Sequence, residues 1–310
     1  MAKLEFRKAS RKSVPMLLSI SGVSGSGKTY SALKLAAGLA GKTGKVGMID
    51  TENGRGEIYA DSPSIIEALP NGYEYARLDP PFTPKAYTDA IKAAEEAGIT
   101  VCIIDSGSHE WEGIGGCTEI AEEKPIKGEP NWKLAKIPHK RFVNHLLCSP
   151  MHIIVCLRAR EKVKYWKNPA KNGKVDIISA GIQPISEKNF PFEMLVSLRV
   201  DEETHHAKPL KVPEPLVHLF PEEALISKEM GERIREWNDG GNPLDEFDQI
   251  AKRAKAQALN GVEAYRHYFQ SLTKIQKAWL IKHGHEDFKF DAEQADLAQA
   301  EQGQEAEDGV

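Results

Sequence analysis

Between residues 14 and 160 the chain alternates short apolar runs with longer stretches in which apolar residues recur every three or four positions. The runs "VPMLLSIS" (14–21), "KVGMID" (45–50), "ITVCIID" (99–105) and "MHIIVCLRA" (151–159) read as buried strands, and "YEYARLD" (73–79) as a weaker one. Between them, "TYSALKLAAGLA" (29–40) is helix-forming and stops at Gly41, while "TPKAYTDAIKAAEEAG" (83–98) has Pro near its start and Gly at its end, the punctuation of a helix. "KLAKIPHKRFVNHLLCSP" (133–150) predicts a helix through its second half. Strands alternating with helices imply an α/β fold with a mostly parallel central sheet covered on both faces.

After residue 160 the pattern shortens to "KVKYW", "KVDIIS", "FEMLVSLRV" and "PLKV", an antiparallel extension of the same sheet. From about residue 221 it turns helical, in "PEEALISKEMGERIREWN", "PLDEFDQIAKRAKAQAL" and "GVEAYRHYFQSLTKIQKAWLIKHG", with "NDGGNP" (238–243) as a linker. The expected organisation is an α/β core over 1–220, a C-terminal helical region over 221–290 and an acidic disordered tail over 291–310.

Composition narrows the class. In 310 residues, 41% are hydrophobic and 28% charged, as in a soluble globular protein. No apolar run approaches the ~18 residues that would span a bilayer, and the basic N-terminus has no apolar signal stretch, so the expected location is a cytoplasm, that of an infected host included. Cys102, Cys117, Cys148 and Cys156 show no metal-ligand spacing; Cys102 and Cys156 fall inside strand-like runs and read as buried free thiols. The net charge of −4 argues against a uniformly basic nucleic-acid binder. Charge is unevenly placed, however: Lys3, Arg7, Lys8, Arg11 and Lys12 crowd the start, and the last twenty residues carry neither Lys nor Arg.

The first candidate for chemistry is "GVSGSGKT" (22–29), which matches G-x-x-x-x-G-K-[ST] between a predicted strand and a predicted helix. Gly22, Gly25 and Gly27 let backbone N–H groups close around phosphate oxygens; Lys28 reaches the β- and γ-phosphates, and the Thr29 hydroxyl ligates Mg²⁺. Ser26 within the loop and Tyr30 after it join the expected nucleotide contacts. Asp105, ending the strand of "VCIIDS", is the expected holder of the Mg²⁺ shell, while Ser106 and His109 either touch nucleotide or cap the loop. ATP is the expected nucleotide, since the chain has no Asn-Lys-x-Asp guanine motif.

"GMIDTENGRGEIYAD" (47–61) places Glu52 two residues beyond a strand, on the edge where parallel sheets bind ligands. This segment resembles the Asp-x-Glu strand end of RecA-type recombinases, and "IIDS" resembles their magnesium-binding strand. Over residues 14–220 the order of motifs is similar to that of the smaller RecA-like P-loop ATPases of bacteriophage single-strand annealing and recombination modules. That resemblance implies a RecA-like P-loop core in which Glu52 is the catalytic base; otherwise Glu52 caps the Asn53–Gly54 turn. It further implies single-stranded DNA as partner, a homo-oligomeric ring or filament, and contact with a single-strand-binding or other recombination protein. In "THHAKPLKVPEP", Lys208 and Lys211 are candidates to reach a neighbouring subunit's active site.

"LRAREKVKYWKNPAKNGK" (157–174) is the expected DNA contact. Arg160, Lys162, Lys164, Lys167, Lys171 and Lys174 would follow phosphates, and Tyr165 and Trp166 would stack on bases. Asn172–Gly173 signals a hairpin turn. The alternative is a solvated hairpin whose aromatics pack on the sheet. Arg158 is expected at the nucleotide, and both it and Arg160 also suit a phosphate sensor. The loop 112–132 is a second DNA candidate with unsuitable acidic charge. Rival functions are a P-loop small-molecule kinase and a slow nucleotide-gated binding module.

Overall fold

The structure, a computed structural model, describes residues 14–167, 175–240 and 250–307 apart from 252, 256, 273 and 283. Among the described residues nine strands make one sheet: β1 (Leu17–Gly22), β2 (Val46–Asp50), β3 (Glu74–Arg77), β4 (Val101–Asp105), β5 (His152–Lys167), β6 (Val175–Pro184), β7 (Val196–Val200), β8 (His206–Lys211) and β9 (Ala224–Leu225). Their order is β3-β2-β4-β5-β1-β7-β8-β9, with β6 paired to β5 off that path. The six strands from β3 to β7 run parallel, and β8, β9 and β6 are antiparallel to their neighbours. The mixed sheet is therefore the mostly parallel one with an antiparallel extension that the apolar pattern implies.

Neighbouring residues on a strand point to opposite faces, and the core divides accordingly. Leu18, Ile103 and Ile154 join one hydrophobic cluster, while Leu17, Ile104 and Ile153 join the other. Helix α1 (Lys28–Ala40) covers the first face. Helices α3 (Pro84–Glu96) and α6 (Trp132–Cys148) cover the second through Tyr87, Ile91, Phe142 and Leu146. Short helices α2 (Pro63–Ala68), α4 (Ser108–Glu112), α5 (Cys117–Glu123) and α7 (Phe190–Glu193) complete the α/β layer, followed by α8 (Lys228–Asp239).

Several expectations change. Helix α6 runs through its whole length with Pro138 inside it, and the loop expected over 112–132 contains α5. "KVKYW" is no separate strand but the outer half of the 16-residue β5. The start of the expected helix at 221 is instead a turn followed by the short β9, which precedes α8.

One compact unit spans Val14–Trp237, so the boundary expected at residue 220 falls inside it. The physical reason is packing: Phe220, Ile226, Met230 and Ile234 are buried in the same cluster as Leu33 and Leu35. Helices α1 and α8 meet at glycines, where a Cβ on Gly38 would lie 2.0 Å from the Lys228 carbonyl and one on Gly231 would lie 2.3 Å from the Leu35 carbonyl. Only hydrogen fits there.

The second unit holds the described residues from Asn238 onward, including helices Val262–Ser271, Lys274–Lys282 and His285–Glu307. Tyr265, Leu280 and Ala292 are buried in its own core, against which Tyr268, Phe269 and Trp279 pack. The aromatic stripe at 265–279 thus has an interior job. Disorder was expected from residue 291, but the last helix continues to Glu307, its Ala, Glu and Gln residues being good helix formers. Asp296 accepts a hydrogen bond from the Val262 amide at 3.1 Å. The linker from Gly241 and the basic N-terminal residues lie outside the described residues. No helix among the described residues is long and apolar enough to cross a membrane.

Candidate nucleotide site at the carboxyl edge of the sheet

β1 ends at Gly22, where a Cβ would come within 2.3 Å of the Ser26 Oγ. The loop curls so tightly that this glycine is required by space, while Gly25 (φ 86) and Gly27 (φ 89) are required by backbone conformation. A Cβ at Gly25 would meet nothing within 4 Å, so there it is backbone conformation and not crowding that calls for glycine. Lys28 is buried, and its ammonium donates to the Val23 carbonyl of its own loop at 2.8 Å. Ser26 is fully buried with no hydrogen-bond partner for Oγ, so its contribution to the loop is its backbone.

Thr29, in the first turn of α1, donates its hydroxyl to Asp105 Oδ2 at 2.5 Å. Burial is the chief cause that pushes the Asp105 carboxyl up to about 6; the Glu52 and Asp50 charges add to it, and the Thr29 hydrogen bond and Lys28 oppose it. A buried carboxylate in this condition favours a cation. The hydroxyl and carboxylate oxygens are a hard donor set, suited to Mg²⁺, and the ammonium beside the loop suits a phosphate.

The β2 edge separates two carboxylates two residues apart. Asp50 is buried and saturated: Oδ1 accepts the Glu52 amide at 2.5 Å, and Oδ2 accepts the Gly56 amide at 3.0 Å and the Tyr75 hydroxyl at 2.9 Å. Burial and then this hydrogen bond push Tyr75 up to about 12. Asp50 therefore shapes the turn that carries Glu52. Glu52 itself is 21% exposed and lies 3.5 Å from Arg55 Nη1 and 3.9 Å from Arg158 Nε. Ion pairs so open are weak, which leaves the Glu52 carboxylate able to turn toward a ligand.

Thr51 and His109 tie this edge to Asp105. Thr51 Oγ1 accepts the Ser106 amide at 2.8 Å and donates to the Ser106 carbonyl at 3.2 Å. His109 Nδ1, 2.8 Å from the same oxygen, must then be the donor, so Nε2 keeps its lone pair toward Arg158 Nη1 at 3.4 Å. Burial is the main cause holding His109 below the ordinary histidine value of 6.5, which favours this neutral ring. Phe82 stacks beneath it at 5.0 Å. Arg158 also donates its backbone amide to Ser108 Oγ at 2.9 Å. Glu52, Lys28, Thr29, Asp105 and Arg158 are thus brought to one edge.

Tyr30 lines a neighbouring cleft of about 530 Å³ with Gly27, Lys34, Tyr59, His205 and Ile226. Its hydroxyl donates to Ser64 Oγ at 2.9 Å. His205, at φ 58 in the turn before β8, donates from Nδ1 to the Ser26 carbonyl at 3.0 Å. The lysines singled out in this region do otherwise. Lys208 is exposed on β8 opposite Arg199, and Lys211 holds the Phe192 and Met194 carbonyls of its own chain at 2.5 and 2.6 Å. His205 and Thr51 went unrecognised in the sequence, and Asp50 was seen only as the strand-end acid before Glu52, because hydrogen bonds that cross from turn to turn leave no spacing pattern.

Beyond Arg158, β5 leaves the parallel sheet as a hairpin arm with β6. Arg160 makes a two-point ion pair with Glu112, at 2.8 and 3.1 Å. Lys162 and Lys164 are exposed, and Tyr165 and Trp166 are 76% and 46% exposed, so these aromatics do not pack on the sheet. The side chain of Lys167, together with Lys171, Lys174 and the Asn172–Gly173 turn, lies outside the described residues.

A family model described as an AAA domain matches residues 15–229, nearly the whole first compact unit. No curated protein matches the chain.

Proposed function

Since the chain belongs to the AAA domain family of P-loop proteins, we propose that it hydrolyses Mg-ATP and is a RecA-like enzyme acting on single-stranded DNA in recombination or annealing. The observation that carries the hydrolytic reading is Glu52, held by the Asp50-capped turn at the edge that bears Lys28 and Asp105. A hydrolase needs a carboxylate at that point to orient the attacking water and take its proton.

Thr29 and Asp105 would hold the metal, and Lys28, leaving the Val23 carbonyl, would meet the β- and γ-phosphates. Bound magnesium would supply neutralisation of the phosphate charge. Glu52 accepts the proton of a water aligned with the γ-phosphate. Arg158, released from Glu52, offsets the charge that develops on the transferred group. The cleft at Tyr30 and Tyr59 adjoins the phosphate loop and offers aromatic faces for a base.

For DNA, the support is the exposed arm, with Lys162, Lys164, Tyr165 and Trp166 presenting charge and flat faces together. Single-strand binders use that pairing, each stacked base contributing ~1–3 kcal/mol. Arg160, held by Glu112, is a weaker candidate for phosphate. Assembly as a ring or filament belongs to the same reading, with exposed Lys208 better placed than Lys211 to reach a neighbouring subunit.

Steady-state ATP hydrolysis with and without single-stranded DNA tests the proposal. Stimulation by DNA that fades with salt and is lost in Tyr165→Ala/Trp166→Ala supports it. Turnover indifferent to DNA removes the DNA role, and phosphate transfer to a nucleoside or sugar acceptor would replace hydrolysis with kinase activity.

A further inference from the structure

Behind the nucleotide edge, three chemically different ligand groups converge from three helices. Glu110 of α4, Cys117 of α5 and His139 of α6 are all buried. Cys117 Sγ lies 3.2 Å from Glu110 Oε1, and His139 Nδ1 lies 3.0 Å from the same oxygen and 3.1 Å from Oε2. One ligand atom from each residue lies within 4.8 Å of the other two. Nothing in the nucleotide chemistry uses them.

We propose that Glu110, Cys117 and His139 form a binding site for a divalent cation of the zinc type, held by the carboxylate, the thiolate and the imidazole Nδ1. The donor set suits a borderline metal: thiolate and imidazole favour zinc over magnesium or calcium, and a carboxylate completes three protein ligands. The spacing suits it as well. Bonds of about 2.0–2.3 Å at tetrahedral angles set ligand atoms about 3.4 Å apart, and the two short edges here need to open by only a few tenths of an ångström.

Charge balance points the same way. One carboxylate and one thiolate neutralise a doubly charged ion, so the filled site carries no net charge among its apolar neighbours. Those neighbours are Ala121 and Ala135, with Trp111, Phe142 and Phe190 around the imidazole. With only protons present, burial and then the Glu110 charge push the Cys117 thiol far above its usual range, and the thiol donates to Glu110. Metal binding displaces that proton to solvent and moves the imidazole proton to Nε2, while the Glu110 oxygens turn from hydrogen-bond acceptors into a ligand. His139 also lines a surface groove of about 450 Å³ with Lys136, Lys140, Asn144 and Glu187, so the cluster borders solvent on its imidazole side.

The ion would fasten α4 to α5 and α6. Because His109 precedes Glu110 on α4, it would also fix the helix that presents His109 to Thr51.

The test uses the full chain, stripped with chelator and titrated with Co²⁺, beside Cys117→Ser and Cys148→Ser. The expected result is one equivalent of cobalt giving a thiolate-to-metal absorption band in the near ultraviolet, together with a rise in Tm on adding Zn²⁺. Both are lost in Cys117→Ser and kept in Cys148→Ser, whose thiol is exposed elsewhere. Cobalt bound at Thr29 and Asp105 gives no thiolate band, so the nucleotide site cannot imitate the result. A wild-type chain that shows neither band nor Tm shift overturns the proposal, whatever the variants do. A band that survives in Cys117→Ser overturns it equally, and the triad is then a hydrogen-bonded core cluster.

Discussion

Asp50 and Asp105 stand side by side, paired in register at the ends of adjacent parallel strands, and both are buried. Asp50 accepts two backbone amides and a tyrosine hydroxyl. Asp105 accepts one hydroxyl, and its carboxyl is pushed up to about 6, chiefly by burial. Hydrogen-bond donors settle the first charge and leave the second in need of a cation. From the sequence both are an acid closing a buried strand; their different tasks come from what the following loop turns toward them.

The largest effect belongs to the residue that Asp50 serves. Glu52→Gln keeps shape and removes the base, and ATP turnover is expected to fall ~10²–10⁴-fold while the protein stays folded. Next, the two aspartates should respond with opposite sign. Asp50→Asn replaces an acceptor of two amides with a group that brings its own donors, and chemical denaturation should show a loss of about 1.5–3 kcal/mol. Asp105→Asn, measured without magnesium and nucleotide, should leave stability unchanged or raise it, because it removes a charge that burial disfavours, while abolishing magnesium-dependent turnover. Equal losses in both variants would erase the distinction. Tyr75→Phe, which deletes one of the three Asp50 donors, should cost about 1 kcal/mol.

The smallest effect is a pH dependence. Burial holds His109 below 6.5, so its neutral ring predominates from that pH upward and is lost as pH falls through the depressed folded value. Protonation puts a second N–H against Arg158, 3.4 Å away. Wild-type turnover should therefore decline on the acid side by a limb that His109→Gln lacks, with the two proteins similar near pH 8. Identical profiles would remove His109 from the arrangement of Arg158.

The core strands, the phosphate loop, Thr29 and Asp105 were legible because each rests on local pattern: an apolar run, fixed glycine spacing, an acid at a strand end. The extent of the first unit was not. Residues 221–237 look like a separate helix in sequence, and it is the burial of Met230 and Ile234 with Leu33 and Leu35, and the close approach of Gly38 and Gly231, that shows α8 completing the core over α1. His205 escaped notice for a similar reason, since it meets the Ser26 carbonyl across 179 positions of chain. The Glu110–Cys117–His139 cluster has no spacing motif because three helices assemble it. Aromatic residues show the limit of composition: Tyr265 is buried, while Tyr165 is exposed on the arm.

The central claim is that Glu52 is the base and Asp50 its support. It is tested most directly by single-turnover ATP hydrolysis in Glu52→Gln, with nucleotide affinity measured on the same sample. The account predicts a rate at least ~100-fold below wild type with affinity nearly unchanged. Hydrolysis close to the wild-type rate, with nucleotide still bound, would contradict it.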